Sequence, residues 1–186
     1  MRIFIAIELT EEIKDALAQI QARLKYSGAD VKWVERGNIH LTLKFLGEVP
    51  EKKIEEAALE LDAAAKESKP FDMDIKEIGV FPKIDFPQVV WVGLDRGASE
   101  AKGLAQKIDE RLERLGFARE SRPFSPHLTI GRVKSSKNKQ ALKERILSTN
   151  VEGCLSQRVE SVILFQSSLT STGPIYTMLH ESKFSS

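Results

Sequence analysis

The sequence has little cysteine and no long apolar run, and each scarcity excludes a class of protein. Cys154 is the only cysteine, so the chain can form neither an intramolecular disulfide nor a multi-cysteine metal site. This favours a reducing compartment, and we expect the protein to be cytoplasmic. No stretch approaches the ~20 apolar residues that span a bilayer. Glu8 interrupts the apolar start too early for a signal peptide.

The chain also lacks an excess of either charge. It has 28 Lys and Arg against 27 Asp and Glu, a formal net charge of +1. Overall charge therefore cannot hold a nucleic acid, and an anion site must be a local cluster. With 186 residues and 41% hydrophobic residues, the chain is long enough to bury a core. No long Pro, Gly or Ser linker divides it, which predicts a single bilobal domain over 1–186.

Hydrophobic periodicity predicts an α+β protein. Strands are expected at 2–9, 31–34, 39–46, 71–80, 89–94, 126–133, 158–167 and 175–184, and helices at 13–24, 54–65, 101–115 and 139–147. Two prolines assign 81–87 to a loop. Several strands follow one another in pairs, which favours largely antiparallel sheets.

One short pattern occurs twice. Ile-His-Leu-Thr-Leu surrounds His40, and Pro-His-Leu-Thr-Ile surrounds His127, so the pattern holds two of the three histidines. The repeat predicts two sheets related by a pseudo-two-fold axis, lining a central cleft with the helices outside. Side chains alternate along a strand, so each histidine shares a face with Thr42 or Thr129, while the aliphatic residues face the core.

This pairing suits acid–base chemistry at a phosphodiester. One imidazole can act as a base and the other as an acid near neutral pH. The threonine hydroxyls can donate to the non-bridging oxygens of the phosphate. Zinc is the competing interpretation, but threonine is a poor ligand and no His-Glu-x-x-His pattern is present. We therefore expect no metal.

The flanking residues carry a resemblance to a known family. Ile-His-Leu-Thr-Leu-Lys-Phe-Leu-Gly-Glu and Arg-Pro-Phe-Ser-Pro-His-Leu-Thr-Ile-Gly-Arg resemble the motifs of the two-histidine (2H) phosphoesterase superfamily, and within it the RNA 2′,3′-cyclic phosphodiesterases or 2′-5′ RNA ligases. The resemblance implies hydrolysis of a terminal 2′,3′-cyclic phosphate to a 2′-phosphate without metal or cofactor. The substrates would be RNA ends, tRNA fragments among them, and the reverse reaction would be 2′-5′ joining. It implies that His40 is the acid, that His127 is the base, and that Thr42, Thr129 and Arg132 bind the phosphate.

Arg132 conflicts with strict alternation. Counting from His127 places it on the aliphatic face, away from the cleft. A bulge at Gly131 would turn the side chain back, and we predict such a break in the strand. Alternation alone allows either histidine to be the acid.

Further residues are weaker candidates. Lys44 continues the face of the first motif and is a candidate phosphate contact, whereas Phe45 is expected in the core. Arg122 and Phe124 precede the second motif and are candidates for contacting RNA phosphate and stacking on a base. For each, a surface charge or ordinary packing is the alternative. His180 lies outside any motif and is expected to be structural or on the surface.

Two other functions remain open on this evidence. The same histidine chemistry could act on a cyclic phosphate of a small nucleotide, for which a closed pocket rather than an open basic groove is expected. Alternatively, the chain could bind RNA ends without catalysis. No membrane association and no obligate protein partner are expected.

Overall fold

The computed structural model describes residues 1–151, 153, 155–171 and 173–185, so Cys154 lies outside the described residues. The strands are β1 (Arg2–Glu8), β2 (Val31–Trp33), β3 (His40–Glu48), β4 (Phe71–Lys83), β5 (Phe86–Leu94), β6 (His127–Val133), β7 (Leu155–Val159), β8 (Ser161–Leu169) and β9 (Pro174–Lys183). The helices are α1 (Glu11–Lys25), α2 (Glu51–Lys66), α3 (Ala98–Glu113) and α4 (Lys139–Ser148), and a 3₁₀ turn spans Arg36–Asn38.

The strands form two sheets in which every pairing is antiparallel. Their orders are β3-β1-β8-β9 and β2-β6-β5-β4-β7. Helices α2 and α3 pack against the first sheet, and α1 and α4 lie with the second. The α+β prediction with largely antiparallel sheets is thereby confirmed. Among the described residues, no helix is both long and apolar enough to cross a bilayer.

The two motif strands occupy similar places in their sheets, although β3 is an edge strand and β6 also pairs with β2. Strand β1 lies between β3 and β8, and β5 lies between β6 and β4, so each motif strand flanks a strand that is paired on both sides. Strands β3 and β6 also contact each other across the two sheets. This arrangement brings the two halves of the repeat together.

Helix ends follow their local sequence. The Thr10 hydroxyl accepts a hydrogen bond from the Ile13 amide at 3.5 Å, and two glutamates occupy the first turn of α1. Gly116 has φ +83° just after α3, a conformation that favours glycine at a helix end. One large core fills the space between the helices and the sheets, while Phe4, Ala6, Ile163 and Phe165 form a separate small cluster.

The predicted loop at 81–87 is wrong, because β4 and β5 continue to a tight turn. Pro82 stands opposite Pro87 near the end of this hairpin. At Pro82, β4 no longer pairs with β7, whose pairing ends at Ile75. At Pro87, β5 does not yet pair with β6, whose pairing begins at Val89. Neither proline therefore removes a hydrogen bond from a ladder with neighbours on both sides, which is the usual reason that strands exclude proline.

The single strand predicted over 158–167 is also wrong. The chain leaves the second sheet at the end of β7 and enters the first sheet with β8, one residue later. Glu160 lies at the crossing, where its carbonyl oxygen accepts the Phe184 amide at 2.8 Å. A period-2 hydrophobic pattern runs unbroken through such a crossing, so it cannot show that the partner strand has changed.

Candidate active site

The two motif histidines are held in the same way. Each begins its strand, and each Nδ1 lies near the carbonyl oxygen two residues earlier: 2.8 Å to Asn38 for His40, and 2.7 Å to Ser125 for His127. A carbonyl can only accept, so Nδ1 carries a hydrogen and donates it. This orients each ring and leaves Nε2 available to exchange a proton with a substrate.

The two motif threonines follow two positions later in each strand. Both are half-buried, with Thr42 opposite Ala6 and Thr129 opposite Trp91 in the ladders. Within the part of the chain that the structure describes, neither hydroxyl has a protein hydrogen-bond partner. Both hydroxyls are therefore available to donate to a ligand oxygen.

Each motif strand has a bulge at the third position after its histidine. Leu43 is the extra residue of β3 against β1, and Ile130 is the extra residue of β6 against β5. A bulge reverses the alternation, so the fifth residue after each histidine returns to the histidine face. These residues are Phe45, which is 63% exposed, and Arg132, which is also exposed. The predicted break in the strand before Arg132 is confirmed, although the extra residue is Ile130 and not Gly131.

The bulge in β3 makes the predicted face of Lys44 wrong. Lys44 is 3% exposed, and its Nζ donates to Asp109 Oδ1 at 2.5 Å and to the Ala118 carbonyl at 2.8 Å. It therefore joins β3 to α3 and to the segment that leads into β6, and it does not face the cleft. Regular alternation had predicted Phe45 in the core, and the same bulge makes that prediction wrong, because Phe45 is exposed.

Aromatic rings surround His40. The Phe4 ring stacks on the imidazole with centroids 4.8 Å apart, and the Tyr176 ring meets it edge-on at 5.3 Å. Burial lowers the pKa of His40 to about 4, with a smaller contribution from the charge of Lys14 and partial opposition from the Asn38 hydrogen bond. His40 is therefore neutral at neutral pH in the unliganded protein, with Nε2 ready to accept a proton.

Different aromatic side chains lie beside His127. The Phe81 ring lies perpendicular to it at 5.0 Å and contacts the Trp91 indole at 5.1 Å. Trp91 in turn lies over Gly79, where a Cβ atom would be 2.3 Å from the indole. Gly79 thus lets the indole lie close to the sheet beside the second motif.

A buried glutamine supports the second bulge. Gln21, from α1, is 4% exposed, and its Nε2 donates to the carbonyl oxygens of Val34 and Ile130, both at 2.8 Å. The Val34 amide also donates to the Ile130 carbonyl at 3.0 Å. These bonds satisfy main-chain groups at the point where the bulge interrupts the β5–β6 ladder.

Arg132 lies near the ring that covers the first motif. Burial raises the pKa of the Tyr176 hydroxyl, and the positive charges of Arg132 and Arg2 oppose that rise. A residue of the second motif and the aromatic wall of the first therefore share one electrostatic environment.

The remaining candidates lie at or beyond the margin of the site. Arg122 is exposed in the segment before β6, and Phe124 is half-buried against the main core. Their proposed RNA contacts stay predictions. His180 pairs with Asp62 at 2.7 Å and has a structural role. No cluster of metal-ligating side chains occurs among the described residues.

Sequence reasoning missed several residues that shape the site. Phe4 lies in β1, both faces of which are apolar, and its ring packs on His40. That second apolar face was the available signal. The positions of Tyr176, Phe81 and Gln21 depend on tertiary contacts that no local pattern shows.

The family model described as LigT like phosphoesterase matches this chain twice, over residues 7–91 and 92–176. Each match contains one of the two histidine motifs. The two matches together cover most of the chain, so the chain belongs to this family of two-histidine phosphoesterases. The resemblance found in the motifs is thereby confirmed.

Several relatives and solved structures are similar over nearly the full length. The RNA 2′,3′-cyclic phosphodiesterase of Methanocaldococcus jannaschii is 40% identical over 97% of this chain and 99% of its own. That of Thermotoga maritima is 36% identical over 99% and 96%. The crystal structure of E. coli LigT complexed with 3′-AMP has a TM-score of 0.81 and 25% identity, covering 100% of this chain and 98% of that one.

Proposed function

We propose that this chain is a metal-independent RNA 2′,3′-cyclic phosphodiesterase that opens a terminal cyclic phosphate to a 2′-phosphate. The observation that carries the proposal is the matched support of His40 and His127, each oriented by the carbonyl two residues earlier. The relatives named RNA 2′,3′-cyclic phosphodiesterase match nearly the whole chain and supply the substrate class. RNA fragments with cyclic ends, including those of tRNA, belong to that class.

The reaction needs one proton removed and one supplied. His127 Nε2 takes a proton from water as the water oxygen attacks phosphorus. His40 takes up a proton from solvent at Nε2 when the anionic phosphate binds beside its ring. The bond from phosphorus to the 3′-oxygen then breaks, and His40 Nε2 gives that oxygen this proton. The product carries a 2′-phosphate and a 3′-hydroxyl, and proton transfer between the histidines through solvent restores the starting state. With a 5′-hydroxyl in place of water, the same attack on the cyclic phosphate would give a 2′-5′ linkage and free the 3′-hydroxyl.

The residues beside the histidines stabilise the phosphate. The hydroxyls of Thr42 and Thr129 donate to non-bridging oxygens, and the Arg132 guanidinium offsets the charge that grows on them. The bulge at Ile130 is what returns Arg132 to the histidine face. A phosphodiester has acceptor oxygens for all three groups, which makes it a better fit than a neutral ester.

The test is incubation with an oligonucleotide that ends in a 2′,3′-cyclic phosphate, with the position of the product phosphate determined. Each of His40→Ala and His127→Ala should lower turnover by about 10²–10⁴-fold. EDTA should have no effect. If both single variants keep wild-type turnover, the two histidines are not the catalytic groups. If wild type binds the oligonucleotide but hydrolyses none of it, the chain is a binding module rather than an enzyme. A 3′-phosphate product would contradict the assigned bond cleavage.

A further inference from the structure

A basic and aromatic surface lies at the tip of the β4–β5 hairpin. Phe86 is 59% exposed, and two ammonium groups lie over its ring, Lys83 at 5.2 Å and Lys139 at 4.5 Å from the centroid. Lys83 stands directly opposite Phe86 in the ladder, and Lys139 is the first residue of α4. We call Lys83, Phe86 and Lys139 the hairpin-tip surface.

The positive charge of this surface is only partly offset locally. Asp85 is the acidic residue of the turn; its carboxylate pairs with Lys143 Nζ at 2.6 Å and also interacts with the charges of Lys83 and Lys139. Lys134 and Lys137, in the link between β6 and α4, are exposed nearby. The group of lysines thus keeps a net positive charge, although the whole chain is nearly neutral.

The hairpin-tip surface is continuous with the candidate active site. The Phe81 ring contacts His127, and Lys83 follows Phe81 by two positions in β4. On the other side of the hairpin, Val89 of β5 stands opposite Arg132 of β6. A chain whose end lies at His127 can therefore reach the surface along β4 and β5.

We propose that the hairpin-tip surface binds the single-stranded RNA that precedes the cyclic phosphate end. The inference rests on the proposed function, because a 2′,3′-cyclic phosphate terminates its RNA and the rest of the strand extends away in one direction. Lys83 and Lys139 leave the Phe86 ring to bind backbone phosphates, and the exposed ring then gives a base a stacking surface. Basic grooves with exposed rings bind single strands in this way.

The test compares a short and a long substrate with the same terminal nucleotide. One is a 2′,3′-cyclic mononucleotide, and the other is an oligonucleotide of about ten residues ending in that nucleotide. The double variant Lys83→Gln with Lys139→Gln should raise KM for the oligonucleotide and leave KM for the mononucleotide unchanged. Phe86→Leu should also raise KM for the oligonucleotide and not for the mononucleotide, because it removes the ring and keeps an apolar side chain.

Salt dependence gives a second readout that does not need turnover. Binding of an oligonucleotide with a 2′-phosphate end is followed by fluorescence anisotropy. Losing two phosphate contacts lowers the slope of log affinity against log salt by about 1.4 for a single strand. The ratio of wild-type to variant affinity should therefore shrink about sevenfold between 50 and 200 mM salt.

A matched control removes the same charge elsewhere. Lys52→Gln with Lys102→Gln changes exposed lysines of α2 and α3 and should leave both KM values and the salt slope unchanged. An equal effect of the control pair would mean that overall charge is responsible and would overturn the proposal. So would unchanged oligonucleotide binding in the Lys83 and Lys139 variant, or an equal KM increase for both substrates. If wild type hydrolyses neither substrate, the proposed function fails, and anisotropy alone decides whether the surface binds RNA.

Discussion

Protonation of His40 should destabilise the folded protein. Its ring is packed between Phe4 and Tyr176, and burial lowers its pKa from 6.5 to about 4. Between those two values the unfolded chain binds a proton at His40 and the folded chain does not, so the free energy of unfolding falls as the pH falls through this window. A shift of this size corresponds to about 3 kcal/mol over the whole window.

His40→Asn removes the titrating group and isolates its effect. Urea unfolding of both proteins at about pH 7.5 and 4.5 should show that wild type loses about 2.5 kcal/mol more than the variant. The other titrating groups are common to both proteins, so their contributions cancel in this difference. Equal pH dependence in the two proteins would refute the reasoning. A His40 imidazole that titrates near 6.5 by NMR in the unliganded protein would refute it as well.

The same shift has a consequence for catalysis. An imidazole that is neutral before substrate binds can act as an acid only after it gains a proton. An anionic phosphate beside the ring favours the charged form and raises its pKa. Binding of a nucleotide 2′-phosphate near pH 6 should therefore take up about one proton in wild type and less in His40→Asn. Calorimetry in two buffers of different ionisation enthalpy measures this uptake, and equal uptake would favour the opposite assignment of acid and base.

Two further predictions concern side chains that hold the motif strands in place. Lys44→Met removes the buried partner of Asp109, which keeps Arg119 Nε at 3.6 Å and the Glu120 amide, and should lower the free energy of unfolding by about 2 kcal/mol. Lys52→Met at an exposed site should change it by less than about 0.5 kcal/mol. Gln21→Leu leaves two main-chain carbonyls without their side-chain donor and should cost about 2 kcal/mol, which urea unfolding also measures. A loss below about 0.5 kcal/mol in either buried variant would contradict the role assigned to its hydrogen bonds.

The sequence was sufficient to place each histidine beside a threonine because alternation is a local property. His40 shares a face with Thr42, and His127 with Thr129, in any regular strand. The conflict at Arg132 was also informative. An arginine suits a phosphate site, but regular alternation placed Arg132 on the opposite face of its strand. Because Gly131 precedes it, this conflict indicated a break in the ladder, and β6 has one.

The equivalent bulge in β3 could not be predicted in this way. Leu43 is an ordinary strand residue, and no glycine or proline marks the position. Lys44 was therefore assigned to the histidine face and Phe45 to the core, whereas Lys44 is buried and Phe45 is exposed. Bulges without a glycine depend on the partner strand and on side chains such as Asp109, which captures the Lys44 ammonium from another element. These contacts are remote in sequence, so a local reading cannot include them.

A duplicated motif gives two groups with the same geometry, whereas acid–base catalysis needs two groups with different proton affinities. The fold resolves this through residues outside the repeat. The carbonyl support is the same for both histidines. The rings of Phe4 and Tyr176 pack on His40, whereas the Phe81 ring lies perpendicular to His127. The fifth position after each histidine differs as well, with an apolar ring on one side and a guanidinium on the other. Charge and burial are thus unequal across a symmetric frame, and this inequality supports different roles for the two histidines in the proposed mechanism.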